Sequence, residues 1–247
     1  MFLSLFQTIF YQPILNLLVF LYNSVQDLGL AILLLTIIIK LLLWPLSRKS
    51  IRSQKALQEL QPKIDELKAQ FKDKKQEMGV ALMDLYKKNS VNPFSSCLPL
   101  LIQLPFFIAV YQVFRDGLNQ KLELVYPFIT KPEVINSIFL GFIDLSKPNT
   151  YLAILAGAAQ FWQAKMMMAK NIKKSGTDSK EESMTAIMNK QMLYFMPALT
   201  IFIGITLPGG LTMYWLILTL LTVLQQFLTT RALNNKEKPV IEGEIVK

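Results

Sequence analysis

The chain has 247 residues, of which 52% are hydrophobic and 17% are charged, whereas about a quarter of the residues of an ordinary globular domain are charged. Five long stretches carry no charge at all, and one helix needs about 20 mostly apolar residues to cross the hydrocarbon of a membrane. The composition therefore excludes a soluble protein and predicts an all-α membrane protein. The uncharged stretches are 1–26, 28–39, 94–114, 149–164 and 191–230.

The sequence offers almost none of the side chains that bind metals. Cys97 is the only cysteine, and the chain contains no histidine. A single cysteine excludes an intramolecular disulfide, and zinc, haem and iron–sulfur sites all need several Cys or His ligands. We therefore predict no metal site, no cofactor and no catalytic residue, and we do not expect an enzyme.

Residues 1–27 contain polar side chains at near-helical spacing. Gln12, Asn16, Asn23 and Asp27 recur along an otherwise apolar segment, which is typical of a helix lying in the membrane interface. No basic region and no small-residue cleavage site mark a signal peptide. We predict an interfacial amphipathic helix at 1–27, with a sixth span as the alternative.

The longest uncharged stretch is about twice the length of one span. It is interrupted at Leu207-Pro208-Gly209-Gly210, and proline and paired glycines are the strongest local breakers of a helix. This stretch therefore predicts two helices joined by a tight turn, which brings the total to five spans. The predicted spans are 28–46, 93–115, 149–168, 191–207 and 208–230.

The charged segments between these spans differ in sign. Residues 47–92 hold 11 Lys and Arg against 6 Asp and Glu, and 165–190 hold 6 against 3, whereas 115–148 hold 4 of each. By the positive-inside rule, the basic segments lie in the cytoplasm and the N-terminus lies outside. The predicted connections are a cytoplasmic hairpin at 47–92, an external loop at 116–148, a cytoplasmic loop at 169–190 and a cytoplasmic tail at 231–247.

The cytoplasmic segment 47–92 has helical periodicity. Apolar residues alternate at spacings of three and four along its first half, which predicts a coiled-coil-like seam, and Pro62 is expected to kink that helix. Two short helices that bury one stripe each form a marginally stable, mobile hairpin. The seam residues are Leu57, Leu60, Ile64, Leu67 and Phe71, followed by Met78, Leu82, Leu85 and Tyr86 in the second half.

Lys40 is a charged residue in the interior of a predicted span, whereas Arg115 and Lys165 lie toward the ends of theirs. An ionisable residue at membrane depth is costly and suggests a functional role, although a lysine stem can also reach the interface by snorkelling. Its side chain leans toward the helix N-terminus, away from the cytoplasm, so we favour a water-filled setting. Thr36 lies one turn earlier on the same face. Amides and hydroxyls on other spans, Gln103 and Gln163 among them, predict a polar cavity within the bilayer.

One specific motif is Asn92-Pro93 followed by Cys97-Leu98-Pro99-Leu100-Leu101-Ile102-Gln103-Leu104-Pro105. It resembles the YidC insertase family, of the YidC/Oxa superfamily, and further matches run in the family order. These are Thr36 to Lys40, Ala56 to Pro62, Phe142 to Asp144, Lys165 to Met167, Gly210-Leu211, Tyr214-Trp215 and Gln225-Gln226. The similarity covers about 28–231.

The resemblance implies five helices around a hydrophilic groove that is open to the cytoplasm and to lipid. Lys40 stands where relatives usually have arginine, and Thr36 and Trp215 match positions associated with substrate contact. The implied substrate-groove residues are Lys40, Thr36, Gln103, Gln163, Tyr214 and Trp215. The implied function is insertion and folding of nascent membrane proteins in the bacterial inner membrane, without nucleotide hydrolysis.

The expected partners follow from that function. They are nascent membrane proteins and the lipid bilayer, with the Sec translocon and the translating ribosome as further candidates, and no sequence-specific binding of nucleic acid. The competing class is a small transporter or channel with Lys40 in its substrate site. Such folds usually show inverted repeats and helices broken at the midplane, and we find no convincing repeat.

Overall fold

The computed structural model describes residues 2–71, 74–92, 98–116, 121–168 and 191–236. These parts of the chain are mostly helical, with one small β-hairpin. Two compact units are present, one formed by Met1–Trp44 and Pro99–Val223, the other by Pro45–Leu98 and Leu224–Lys247. The predicted start of the second span at 93–97, the loop 169–190 and the end of the tail lie outside the described residues.

The N-terminal helix, α1, comprises Phe2–Phe6, a π-helical turn at Gln7–Tyr11 and Gln12–Val25. Apolar residues at helical spacing bury one face of it, and it ends at Gln26, whose φ of 54° is left-handed. Ser4–Val25 is long and apolar enough to cross a membrane. This agrees in length with the sixth span that we left open, and does not by itself choose between a span and an interfacial helix.

The polar face of α1 is bound to another part of the chain. Asn16 accepts a hydrogen bond from Tyr126 N at 2.6 Å and donates one to Leu124 O at 3.2 Å, while Asn23 Nδ2 donates to Thr130 O at 2.7 Å. Tyr22 Oη accepts from Asn136 N at 2.8 Å. The sequence analysis took this polar stripe as the sign of an interfacial helix, and in the structure its residues bind the predicted external loop.

The next helix, α2, spans Leu28–Leu42 and is capped by Asp27, whose Oδ1 accepts from Leu30 N at 3.0 Å. An aspartate at this position satisfies one of the free amides of the first turn. The apolar face of α2 is buried with that of α1 in one hydrophobic core. The helix ends earlier than the predicted span 28–46, because Leu43 leaves helical geometry before a new helix begins at Trp44.

The segment predicted to form a cytoplasmic hairpin contains two helices, α3 at Trp44–Gln70 and α4 at Lys75–Lys88, and their arrangement as a hairpin stays a prediction. Within the predicted seam, Leu60 and Ile64 are buried and the other described members are half-buried. Pro62 lies inside α3, which continues through it as one helix. The seam is therefore only shallowly buried, as expected of two short helices that each bury a single apolar stripe.

Three further α-helices are α5 at Leu98–Arg115, α6 at Thr150–Met168 and α8 at Gly209–Lys236. Between α6 and α8 lies α7, which begins with a π-helical turn, Gln191–Phe195, and continues as Met196–Gly204. α7 ends at Gly204 and α8 begins at Gly209, so the gap between them overlaps the predicted break at 207–210. Its glycines serve close packing, because a Cβ on Gly210 would overlap the Phe114 ring.

Not every predicted span meets the length and composition of a membrane helix in the described residues. Ser4–Val25 and Gly209–Leu233 do so alone, and Leu28–Leu42 does so together with Trp44–Gln70 as a bent pair. Leu101–Arg115 and Gln191–Gly204 are shorter apolar helices. The five-span arrangement therefore stays a prediction.

The predicted external loop, 116–148, contains a β-hairpin that the sequence analysis missed. Strand β1, Ile138–Phe139, pairs antiparallel with β2, Ile143–Asp144. The carboxylate of Asp144 accepts hydrogen bonds from Ser137 Oγ, Ser146 N and Ser146 Oγ, and pairs with Lys147 at 3.1 Å. These hydrogen bonds hold the pKa of Asp144 well below its ordinary value. They fix the base of the hairpin.

Candidate functional site

Helix α8 carries most of the polar and aromatic side chains of the site. Trp215, Thr219 and Thr222 follow one another at spacings of four and three, which places them along one face. Thr219 and Thr222 both donate to the carbonyl four residues earlier, at 2.9 and 2.7 Å. Each threonine oxygen therefore keeps its lone pairs available to a donor from another helix.

Lys40 uses one of these acceptors. Its Nζ donates to Thr222 Oγ1 at 2.9 Å, and the residue is only 7% exposed. An ammonium has three donors, and the described residues place no carboxylate within ion-pair distance of it. The structure thus joins α2 to α8 through a buried cation held by a neutral hydroxyl.

Gln103 and Tyr214 form a second polar contact, between α5 and α8. Gln103 Nε2 donates to Tyr214 Oη at 2.7 Å, and the tyrosine is fully buried. Next to it, Trp215 meets Phe107 edge to face, with ring centroids 5.4 Å apart. Two of the predicted site residues are therefore in direct contact, and a third packs beside them against α5.

Thr36 and Gln163 occupy less open positions than the prediction implied. Thr36 is buried one turn before Lys40, and its hydroxyl donates to Ile32 O at 2.6 Å. Gln163 is half-buried on α6, a helix that packs against α7. The polar contact described between those two helices is the hydrogen bond from Thr200 to Gln160. A groove position for Gln163 stays a prediction.

Thr222 is a site residue that the sequence analysis did not select. It was one of several polar residues on the last predicted span, and only its distance from Lys40 distinguishes it. A usable signal was present, because Thr222 lies seven residues after Trp215 and so on the same helical face. The sequence alone does not show that this face of α8 lies next to Lys40 on α2.

The chain is similar to known proteins over most of its length. The family model described as "60Kd inner membrane protein" matches residues 20–237. The chain belongs to this family. The description of the family names an inner membrane protein. The match confirms the resemblance inferred from the motifs.

Curated relatives carry the name membrane protein insertase YidC. The protein of Geotalea daltonii is 37% identical over 225 residues, which cover 90% of this chain and 37% of that protein. The Haemophilus influenzae protein is 36% identical over a region that covers 91% of this chain and 37% of that protein. The Helicobacter pylori protein is 34% identical over a region that covers 94% of this chain and 38% of that protein. The chain thus spans well under half the length of these relatives.

A solved structure agrees with the family assignment. It is described as an active YidC insertase crystal structure with the first transmembrane domain resolved. The similarity has a TM-score of 0.59 at 28% sequence identity, and it covers 89% of this chain and 45% of that one. The helical architecture described above is therefore shared with a YidC insertase.

Proposed function

We propose that this chain is a membrane protein insertase that inserts and helps fold nascent membrane proteins. The observation that carries the proposal is Lys40, a buried cation held by the neutral hydroxyl of Thr222 within a mostly hydrophobic core. A charge at membrane depth is costly and rarely retained without a role. The names of the relatives suggest the insertase function. The site supplies a cation and polar groups that can bind the polar part of a client.

In the proposed mechanism, the cytoplasmic hairpin of α3 and α4 meets the nascent segment first. The described residues form a cavity of about 410 Å³ on this hairpin, lined by Phe71, Val80 and Ala81 together with Gln76, Glu77 and Asp84. Its apolar lining residues suit the apolar part of a client. A partly buried seam allows the hairpin to adjust to different segments.

The polar part of the client then enters a groove bordered by α2, α5 and α8. Lys40, Gln103 and Tyr214 replace part of its hydration there, which lowers a cost of several kcal/mol for each unsatisfied polar group in hydrocarbon. Thr36, Gln163 and Trp215 complete the proposed groove. The client leaves sideways into lipid, and no step requires nucleotide hydrolysis or another enzymatic reaction.

We further propose the topology and partners that accompany this function. Five helices cross the inner membrane, with the N-terminus outside and the C-terminus in the cytoplasm, as the charge distribution predicts. The C-terminal half of α1 is hydrogen-bonded to the external loop, which supports an interfacial position for that half. The Sec translocon and the translating ribosome are candidate partners.

Substitution of Lys40 tests the proposal. Lys40→Arg is expected to keep insertion, because the charge is retained. Lys40→Ala should impair clients whose translocated segment carries Asp or Glu, and Lys40→Glu should impair them more, through like-charge repulsion in a poorly screened site. Lys165→Ala is the matched control, since this lysine lies exposed on α6. The measurement is insertion of acidic and neutral clients in vivo.

Two outcomes would contradict the proposal. If Lys40→Ala and Lys40→Glu leave both client classes unaffected, Lys40 is a structural cation and the electrostatic mechanism is wrong. If the variants change the flux of a small solute in vesicles and leave insertion intact, the transporter alternative holds instead.

A further inference from the structure

The tip of the β-hairpin is apolar and exposed. Leu140 and Gly141 reverse the chain with φ values of 49° and 84°, and Phe142 N donates to Phe139 O at 3.2 Å. Positive φ at both central positions is the requirement of a type I′ turn, which Asn-Gly and Asp-Gly normally satisfy. A leucine at the first of these positions is strained, so its side chain must be favoured for another reason than the turn.

The hairpin has two distinct faces. Phe139 and Ile143 turn inward and pack against the hydrophobic core. Ile138, Leu140 and Phe142 turn outward and are 43%, 57% and 74% exposed. The first charged residue after the turn is Asp144, which is engaged at the base of the hairpin. We call the three outward residues the hairpin tip.

The hairpin tip is held at the first turn of α2. Leu140 N donates to Asp27 Oδ2 at 2.9 Å, while the other oxygen of the same carboxylate accepts from Leu30 N. The ring of Phe139 lies over Gly29, where a Cβ would overlap it. Leu30 is itself exposed, so apolar surface continues from the tip onto α2.

We infer that the hairpin tip is a membrane-contacting wedge whose partner is the interfacial layer of the lipid bilayer beside the start of α2. An uncharged apolar tip fixed where an apolar helix begins lies at the depth where amphipathic elements bury their apolar faces, about 5–10 Å into the headgroup–acyl boundary. Lipid contact accounts for a strained leucine at a turn position that favours Asn. This inference rests on the proposed entry of α2 into the bilayer and adds a contact that insertion itself does not require.

Fluorescence quenching by brominated lipids tests the contact. In a Cys97→Ser background, single cysteines at Phe142, Glu133 and Ile38 are labelled with bimane and reconstituted in vesicles of brominated phosphatidylcholine at low protein density. Glu133 is an exposed charged residue of the same loop, and Ile38 is an exposed residue of α2. The label at 142 should be quenched by shallow bromines about twofold more than the label at 133, and the label at 38 by deep bromines.

Leu140→Asn separates lipid contact from folding of the hairpin. Asparagine suits the turn, so hydrogen exchange at Phe142 should stay as slow as in the parent protein while quenching of the label at 142 falls. Equal quenching at 142 and 133, with normal quenching at 38, would overturn the wedge and leave the proposed function standing. Loss of quenching at 38 would instead contradict entry of α2 into the bilayer. If quenching of the label at 142 decreases as the protein density rises, the tip contacts a second copy of the chain, and the lipid assignment is overturned.

Discussion

The hydrogen bond between Lys40 and Thr222 makes a quantitative prediction about stability. Thr222→Val keeps the shape of the side chain and removes the acceptor that lies 2.9 Å from the buried ammonium. Hydrogen bonds to charged groups contribute about 1.5–3 kcal/mol, and the low exposure of Lys40 leaves little water to replace the hydroxyl. We therefore expect the folding equilibrium constant to fall by about tenfold to a hundredfold.

Thr219→Val is the matched control for this measurement. Both threonines lie on α8 and both donate to the carbonyl four residues earlier, so each valine substitution removes the same local bond. Only Thr222 also accepts from Lys40. The difference between the two variants in reversible unfolding in mixed micelles isolates that contact.

A double-mutant cycle completes the argument. Lys40→Met should make Thr222→Val no more destabilising than Thr219→Val, because the charged donor is gone. If Thr222→Val is as stable as the parent chain, or if its effect persists undiminished beside Lys40→Met, the hydroxyl does not hold the ammonium. The positioning of Lys40 would then require another explanation.

Further substitutions test the packing of the helices and the β-hairpin. Gly210→Ala should destabilise the fold, because its Cβ would overlap the Phe114 ring. Gly79→Ala should instead stabilise α4 by roughly 0.5–1 kcal/mol, because its Cβ would meet nothing within 4 Å. Thermal unfolding of the two variants measures both effects. Because folding lowers the pKa of Asp144, its stabilising effect is complete above the ordinary carboxyl pKa and decreases as pH falls below it. The protection of the Leu145 amide against hydrogen exchange, taken relative to its intrinsic rate at each pH, should therefore decrease in acid in the parent chain. In Asp144→Asn this acid dependence should be absent.

The sequence predicted a mostly helical chain, because the signals of helices are local. Uncharged stretches indicate apolar helices, and Pro208 with the following glycines correctly marked the break before α8. The shared face of Thr36 and Lys40 followed from helical periodicity alone. Each of these predictions needed no knowledge of which helix packs against which.

The features that the sequence analysis missed depend on distant residues. Thr222 lies 182 positions from Lys40, and no local pattern aligns the two. The β-hairpin has strands of two residues, too short for an alternating pattern, and its Leu-Gly turn lacks the usual Asn or Asp. The polar stripe of α1 was visible, but only the structure shows that Asn16 and Asn23 face a polypeptide segment.

Asp27 also has a consequence for the order in which the chain is made. Its two oxygens serve Leu30, three residues away, and Leu140, 113 residues away. At synthesis rates of about 5–20 residues per second, the second amide follows the first by roughly 6–20 seconds. The local cap can therefore form as α2 emerges, and it orients the carboxylate long before the hairpin exists. The early part of the chain thus prepares a docking point for a later one, and the hairpin can dock without reorienting that carboxylate.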